Sequence, residues 1–159
     1  MADHYFTDIA GKFASNIYGT TKGRLRQEIL EYVLAPYISE GPLSIIELGG
    51  GTGVMSRYLA QRGHRVLLTD ASADVLDHAK ALLEGLTNVT AKQQVISETG
   101  DLQGFDLVIF DEASQMTTWD SVGAIARGRN VIVVGDDRED NVVVAVGDSV
   151  KECLHAAFG

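Results

Sequence analysis

The sequence predicts an α/β protein: a three-layer sandwich in which helices cover both faces of a doubly wound, mostly parallel β-sheet. Three observations carry that prediction. Apolar runs at 44–48, 65–69, 105–110 and 130–134 have the continuous character of strands buried on both faces. Between several of them lie stretches whose apolar residues recur every three or four positions, the period of an amphipathic helix. The first run also feeds directly into Gly49-Gly-Gly-Thr-Gly53, a glycine-packed turn of the kind that joins a strand to a helix.

Along the chain, Ile9, Phe13 and Ile17 at four-residue spacing predict a short amphipathic helix over 5–18, closed by Gly19, and a polar loop over 20–23. Leu25, Ile29, Val33 and Tyr37 then line one face of a second helix, which Pro36 should end or kink. After the first strand and its turn, a helix carries Val54, Tyr58 and Leu59 on one face. A second strand, Arg65 to Thr69, delivers Asp70 at its C-terminal end. Ser72 can cap the next helix, in which Val75, Leu76, Ala79, Leu82, Leu83 and Leu86 form an apolar stripe that should cover one sheet face. His78, between charged neighbours, reads as solvated.

The run 88–96 alternates only in part and predicts a weaker third strand. Phe105 to Phe110 is the fourth, ending in Asp111 and Glu112, and a helix through Val122, Ile125 and Ala126 leads to the fifth at 130–134. Only residues 135–140 separate this from a sixth run at 141–146. A parallel crossover needs a dozen or more residues, so the last two strands pair antiparallel or not at all. The acidic connection reads as a solvated hairpin tip rather than a metal site. Ser149 to Glu152 has capping-box spacing and opens a terminal helix with Val150, Leu154 and Phe158, in which Cys153 and His155 read as packing and surface residues.

A chain of 159 residues fits one domain, and 45% apolar content is ordinary for a soluble globular protein. The formal charge of -9 and a pI of about 4.7 oppose long-range attraction of nucleic acid. One cysteine excludes an internal disulfide. The N-terminus lacks the pattern of a secretory signal, no apolar run approaches a membrane span, and no repeat or low-complexity tract stands out. A soluble, cytoplasmic protein is the expectation.

The chemistry concentrates at the first turn. Glycines there let the backbone take positive φ and lie close to a ligand, while the following helix aims free N–H groups and the positive end of its dipole at the same place. An acid at the end of the neighbouring strand can accept both hydroxyls of a ribose. The alternative is a tight structural turn with an incidental aspartate.

Glu47-Leu-Gly-Gly-Gly-Thr-Gly53 resembles the acid-x-Gly-x-Gly-x-Gly motif of class I S-adenosylmethionine-dependent methyltransferases, and Asp70 falls where that family has its ribose-binding acid. The dinucleotide fingerprint G-x-G-x-x-G is not met, because, counted from Gly49 or Gly51, Val54 and Ser56 stand where a third glycine would be required. The resemblance implies a Rossmann-like fold and S-adenosylmethionine as cofactor. It also implies a site of Arg26, Glu47, Gly49, Gly50, Gly51, Gly53 and Asp70. In it Arg26 would meet the cofactor carboxylate, Glu47 the amino group, the glycines the methionine and ribose, and Asp70 the ribose hydroxyls.

Residues 8–27 resemble the N-terminal segment of the bacterial tRNA 5-carboxymethoxyuridine methyltransferases, whose matching arginine contacts the methionine end of the cofactor. A guanidinium pairs bidentately with a carboxylate, which suits that role. The alternatives for Arg26 are a solvated helix-face position and replacement by nearby Arg24. After the third strand that family has an acidic or polar residue for the adenine amino group, whereas this chain has Val95 and Ile96 before Ser97 and Glu98.

Residues 105–137 resemble the Walker B strand and following segment of superfamily 1 helicases, in which acids matching Asp111 and Glu112 hold Mg²⁺ and position water. No G-x-x-x-x-G-K-[ST] loop is present to cradle phosphates, so ATP hydrolysis is not expected. The two resemblances together suggest a chimera, natural or engineered. The expected organisation is one domain, 1–159, with N-terminal helices at 1–40, a methyltransferase-like half at 44–96 and a helicase-like and C-terminal half at 105–159. The expected strand order is 3-2-1-4-5 with an antiparallel sixth at the edge.

Function is then expected to be S-adenosylmethionine binding by a methyltransferase-like domain. A scaffold without turnover and a nucleotide- or Mg²⁺-binding module are the alternatives. The remainder after Val134 is expected to be too short to build an acceptor pocket, so methylation of tRNA is not expected. No catalytic base and no metal ligand is assigned.

Overall fold

In the computed structural model the described residues are 21–39, 41–95 and 104–110, together with the backbone of two strands at 128–136 and 142–147. Helix α1 spans Thr21–Leu34 and passes into a 3-10 turn, Ala35–Tyr37. Strand β1 (Ser44–Leu48), helix α2 (Val54–Gln61), strand β2 (Arg65–Asp70), helix α3 (Ala73–Leu82) and strand β3 (Val89–Gln93) follow. Strands β4 (Phe105–Phe110), β5 (Gly128–Asp136) and β6 (Val142–Gly147) complete the sheet.

The strands stand in the order β3-β2-β1-β4-β5-β6. Pairs β1–β2, β1–β4, β2–β3 and β4–β5 are parallel, and β5–β6 is antiparallel. The chain moves outward from β1 to β3 and then returns to the other side of β1 with β4. The place where that order reverses is where a doubly wound sheet opens a crevice at the C-terminal ends of its strands.

Parallel register places Ile45 beside Val66 and Leu107, and Glu47 beside Leu68 and Ile109. On this face Ile45, Val66, Leu107 and Ile109 pack with Leu30, Leu34 and Ile38 and with Met55, Leu59 and Ala60 of α2. Leu68 packs with Leu76, Ala79 and Leu83 beside α3. On the opposite face Ile46, Leu48, Val108 and Phe110 are buried too, which is why these strands read as continuous apolar runs.

Helix α2 ends in a Schellman arrangement. Gly63, at φ +90°, donates its N–H to the Ala60 carbonyl, and His64 donates to that of Leu59. The Ser72 hydroxyl caps α3 by accepting from Val75 N–H at 3.4 Å, with Asp74 in the first turn and Lys80 in the last, each matched to the helix dipole.

Several expectations need correction. The buried stripe of the first described helix is Leu30, Leu34 and Ile38, whereas Leu25, Ile29 and Tyr37 of the expected stripe are exposed. Both sets have four-residue spacing, so periodicity alone does not choose between them; docking against β1, β2 and β4 does. Thr21–Gly23, expected as loop, form the first turn of α1. Strand β3 covers five residues rather than the whole of 88–96, and β2 includes Asp70. The expected helices over 5–18 and 119–127 and the terminal helix after Ser149 lie outside the described residues. So do Asp111, Glu112, the acidic connection at 137–140, Cys153 and His155.

Candidate functional site

Because β1 and β2 are parallel and in register, Leu48 beside Thr69, the chain leaves both at the same edge of the sheet. The turn Gly49–Gly53 and Asp70 are thereby brought together. Gly50 donates its N–H to the Thr69 carbonyl at 3.1 Å, and Gly51 donates to Asp70 Oδ2 at 3.1 Å. The other carboxylate oxygen of Asp70, Oδ1, accepts from Ser72 N–H at 2.9 Å, two residues on, as in an Asx turn. Asp70 is half-buried and held on two sides by backbone, and each oxygen keeps lone-pair capacity for a further donor.

The glycines are required for two different reasons. Gly51 has φ +58° with open space around its Cα, so conformation alone selects glycine. Gly50 is selected by room: a Cβ there would run into the Leu68 side chain and lie 2.6 Å from Glu47 Cδ. Gly53, at φ +80°, is the N-cap of α2 and leaves the first amides of that helix without a side-chain cap.

Glu47 points below this turn, 1% exposed, and accepts a hydrogen bond from the Ser56 hydroxyl of α2. Its backbone carbonyl accepts from Thr69 Oγ1 at 3.0 Å, tying β1 to β2 just before they end. The Thr52 hydroxyl is buried in the turn with no hydrogen-bond partner. A buried hydroxyl costs free energy unless something satisfies it, so this oxygen is an unmet polar group within the turn. Beyond Asp70, its carbonyl accepts from Gln94 N–H at 2.9 Å, and Gln93 Nε2 donates to the Ala71 carbonyl at 3.0 Å, which fixes the exit of β3 beside the site.

The structure therefore assembles Glu47, Gly49, Gly50, Gly51, Gly53 and Asp70 at one sheet edge. Arg26 is on α1, and its side chain lies outside the described residues. The sequence analysis gives Thr52, Ser56 and Thr69 no part in the site and reads Ser72 only as the cap of α3, not as a backbone donor to Asp70. Thr52 stands inside the glycine motif, and Ser72 stands two residues after an aspartate, so both had a legible signal; Ser56 and Thr69 had none, because their partners are set by packing between elements. What this edge can do is bind and orient a polar ligand: the Asp70 carboxylate is fixed there by two backbone N–H groups and keeps acceptor capacity, beside the uncapped N-terminus of α2.

The profile of a family described as a methyltransferase domain matches residues 45–135. Its bounds take in 105–135, and the findings give no support to a helicase resemblance or a chimera. The tRNA 5-carboxymethoxyuridine methyltransferase of Escherichia coli K12 is 49% identical over 87 residues, 53% of this chain and 33% of that protein. The matched stretch thus spans about a third of the length of that relative. Among solved structures, magnesium protoporphyrin IX methyltransferase from Synechocystis PCC 6803, with bound S-adenosylhomocysteine, superposes with a TM-score of 0.68 at 21% identity, over 82% of this chain and 68% of that one. The PH0226 protein from Pyrococcus horikoshii OT3 gives 0.65 at 22% identity, over 77% and 58%. At such identities the likeness is one of fold.

Proposed function

The chain belongs to the methyltransferase domain family, and from that premise we propose that it is an S-adenosylmethionine-binding domain whose cofactor lies over Gly49–Gly53 and against Asp70. The observation that carries the reading is the Asp70 carboxylate, fixed by the N–H groups of Gly51 and Ser72 at the crevice of the sheet. The buried, unpartnered Thr52 hydroxyl within the turn is consistent with the same group. Asp70 accepts the ribose hydroxyls, the turn Gly49, Gly50, Gly51 and Gly53 underlies methionine and ribose, Glu47 adds its negative charge to the amino end from beneath the turn, and Arg26 pairs with the carboxylate. Bound S-adenosylmethionine supplies an electrophilic methyl group on a sulfonium. What the chain contributes is position, which is most of what an in-line displacement needs.

The relative from Escherichia coli is a tRNA methyltransferase. With a formal charge of -9, this chain opposes a polyanion, so we propose cofactor binding without useful turnover on tRNA.

Calorimetry with S-adenosylmethionine and S-adenosylhomocysteine tests the binding. Asp70→Ala should weaken it at least about tenfold, as expected for a lost charge-assisted hydrogen bond, and equal affinity would remove Asp70 from the site. Tritium-labelled cofactor with bulk tRNA tests turnover: protein-dependent label in the tRNA, lost in Asp70→Ala, would establish the enzyme. Mg-ATP in the same calorimeter tests the nucleotide-module reading, for which the phosphate-cradling lysine loop is missing.

A further inference from the structure

We propose that the cavity at the opposite end of the sheet from the glycine turn is a second ligand site, shaped for a carboxylate carried on an aromatic or aliphatic body. It is lined by Ala35, Ile38, Pro42, Tyr58, Arg62 and His64, with Ser39, Gly41 and Gly63 at its margin. Gly41 and Pro42 lead into β1, and Gly63 and His64 lead into β2, so the cavity lies at the N-terminal ends of these strands. The cofactor crevice is at their C-terminal ends, about 15 Å away by the length of a five-residue strand.

Its volume, about 480 Å³, is within the roughly 300–1,000 Å³ range of small-molecule sites. The charge in it is positive and held in place. The Arg62 guanidinium lies 3.5 Å over the centroid of the Tyr58 ring, and Nη1 donates to the Tyr58 carbonyl at 3.3 Å. Stacking and that bond fix the plane of the fork while most of its donors stay available, and no carboxylate among the described residues is paired with it. A planar fork of fixed orientation is suited to a planar carboxylate, which it can meet bidentately.

The second polar group is His64, 2% exposed. Its Nδ1 accepts a hydrogen bond from Leu43 N–H at 3.1 Å, so in the neutral ring the proton is on Nε2, a donor. Burial, and then the charge of Arg62, push the His64 pKa down and keep the ring neutral. Among the described residues the cavity thus offers the Arg62 charge and the neutral His64 donor, with the hydroxyl-bearing Ser39 and Tyr58 also in its lining, beside the apolar surfaces of Ala35, Ile38 and Pro42. One cation matches one monoanion, and the apolar walls match a body that prefers to leave water.

The site does not depend on the cofactor reading, and its test is separate from it. The full chain is titrated with benzoate, with benzamide as the neutral isostere and inorganic phosphate as the alternative anion, by calorimetry and by nitrogen-15 NMR. Expected are saturable benzoate binding, shifts of the His64 ring and Gly63 amide, and no binding of benzamide. Arg62→Gln should weaken benzoate at least about tenfold while leaving S-adenosylhomocysteine binding unchanged. Arg62→Lys should retain part of the affinity, because the charge stays and the fork does not. Asp70→Ala should bind benzoate as the parent does. Benzamide binding as tightly as benzoate, phosphate binding more tightly, or a folded Arg62→Gln chain with undiminished benzoate affinity would overturn the proposal. Absence of any saturable benzoate binding to the parent chain would do the same.

Discussion

Gly50 and Gly51 are neighbours in sequence and are constrained by different physics. A methyl group at position 50 meets Leu68 and Glu47 Cδ, both buried, so Gly50→Ala overpacks a site with nowhere to yield. It should cost about 1–3 kcal/mol in urea unfolding and weaken S-adenosylhomocysteine binding as the turn is displaced. At position 51 there is room but φ is +58°, so Gly51→Ala should cost roughly 1–2 kcal/mol through conformation alone. Asp70 offers a sharper test than truncation. Each of its oxygens accepts a backbone N–H, so Asp70→Asn must turn an NH₂ towards either Gly51 or Ser72. Calorimetry should find Asp70→Asn as damaging to cofactor affinity as Asp70→Ala despite its matching shape. Retained affinity would mean that the carboxylate charge and its two acceptors are not what holds the ribose.

The first described helix shows what an element can hide. Two stripes run along α1, and only the one carrying Leu30 and Leu34 enters the core. Leu34 is 1% exposed and Leu25 56% exposed, so the same truncation has different consequences. Leu34→Ala should cost about 2–5 kcal/mol and Leu25→Ala less than about 0.5 kcal/mol in denaturant unfolding, and similar losses at both would assign the wrong face to the core. Helix α3 was more legible. Its cap, its first-turn acid and its last-turn lysine all lie at the ends that its apolar stripe marks out. Ser72→Ala should cost about 0.5–2 kcal/mol.

For the molecule as a whole, His64 links stability to pH. Its folded pKa is below the ordinary 6.5 because of burial and, secondarily, the charge of Arg62. As pH falls through 6.5 the unfolded chain binds the proton first, so the stability is full above that value and is lost progressively down to the lower folded pKa. Urea midpoints at about pH 7.5 and about pH 5.5 should show the loss, and His64→Asn, whose Oδ1 can still accept from Leu43 N–H, should show less of it. An unchanged difference between the two pH values in that variant would place the titration elsewhere. The sequence by itself determined the strand, turn and helix around Gly49–Gly53, the apolar runs of β1, β2 and β4, and the acid at the end of β2. These are local matters: a strand buried on both faces must be apolar throughout, and a turn with positive φ must carry glycine. Tertiary packing decided which stripe of α1 is buried, that Glu47 lies beneath the turn bonded to Ser56, where the lone pairs of Asp70 are spent, and that Ala35, Ile38 and Pro42 meet Tyr58, Arg62 and His64 around a cavity. Each of these depends on which distant segments meet, and a four-residue spacing or a lone carboxylate reads the same in sequence whichever partner it finds.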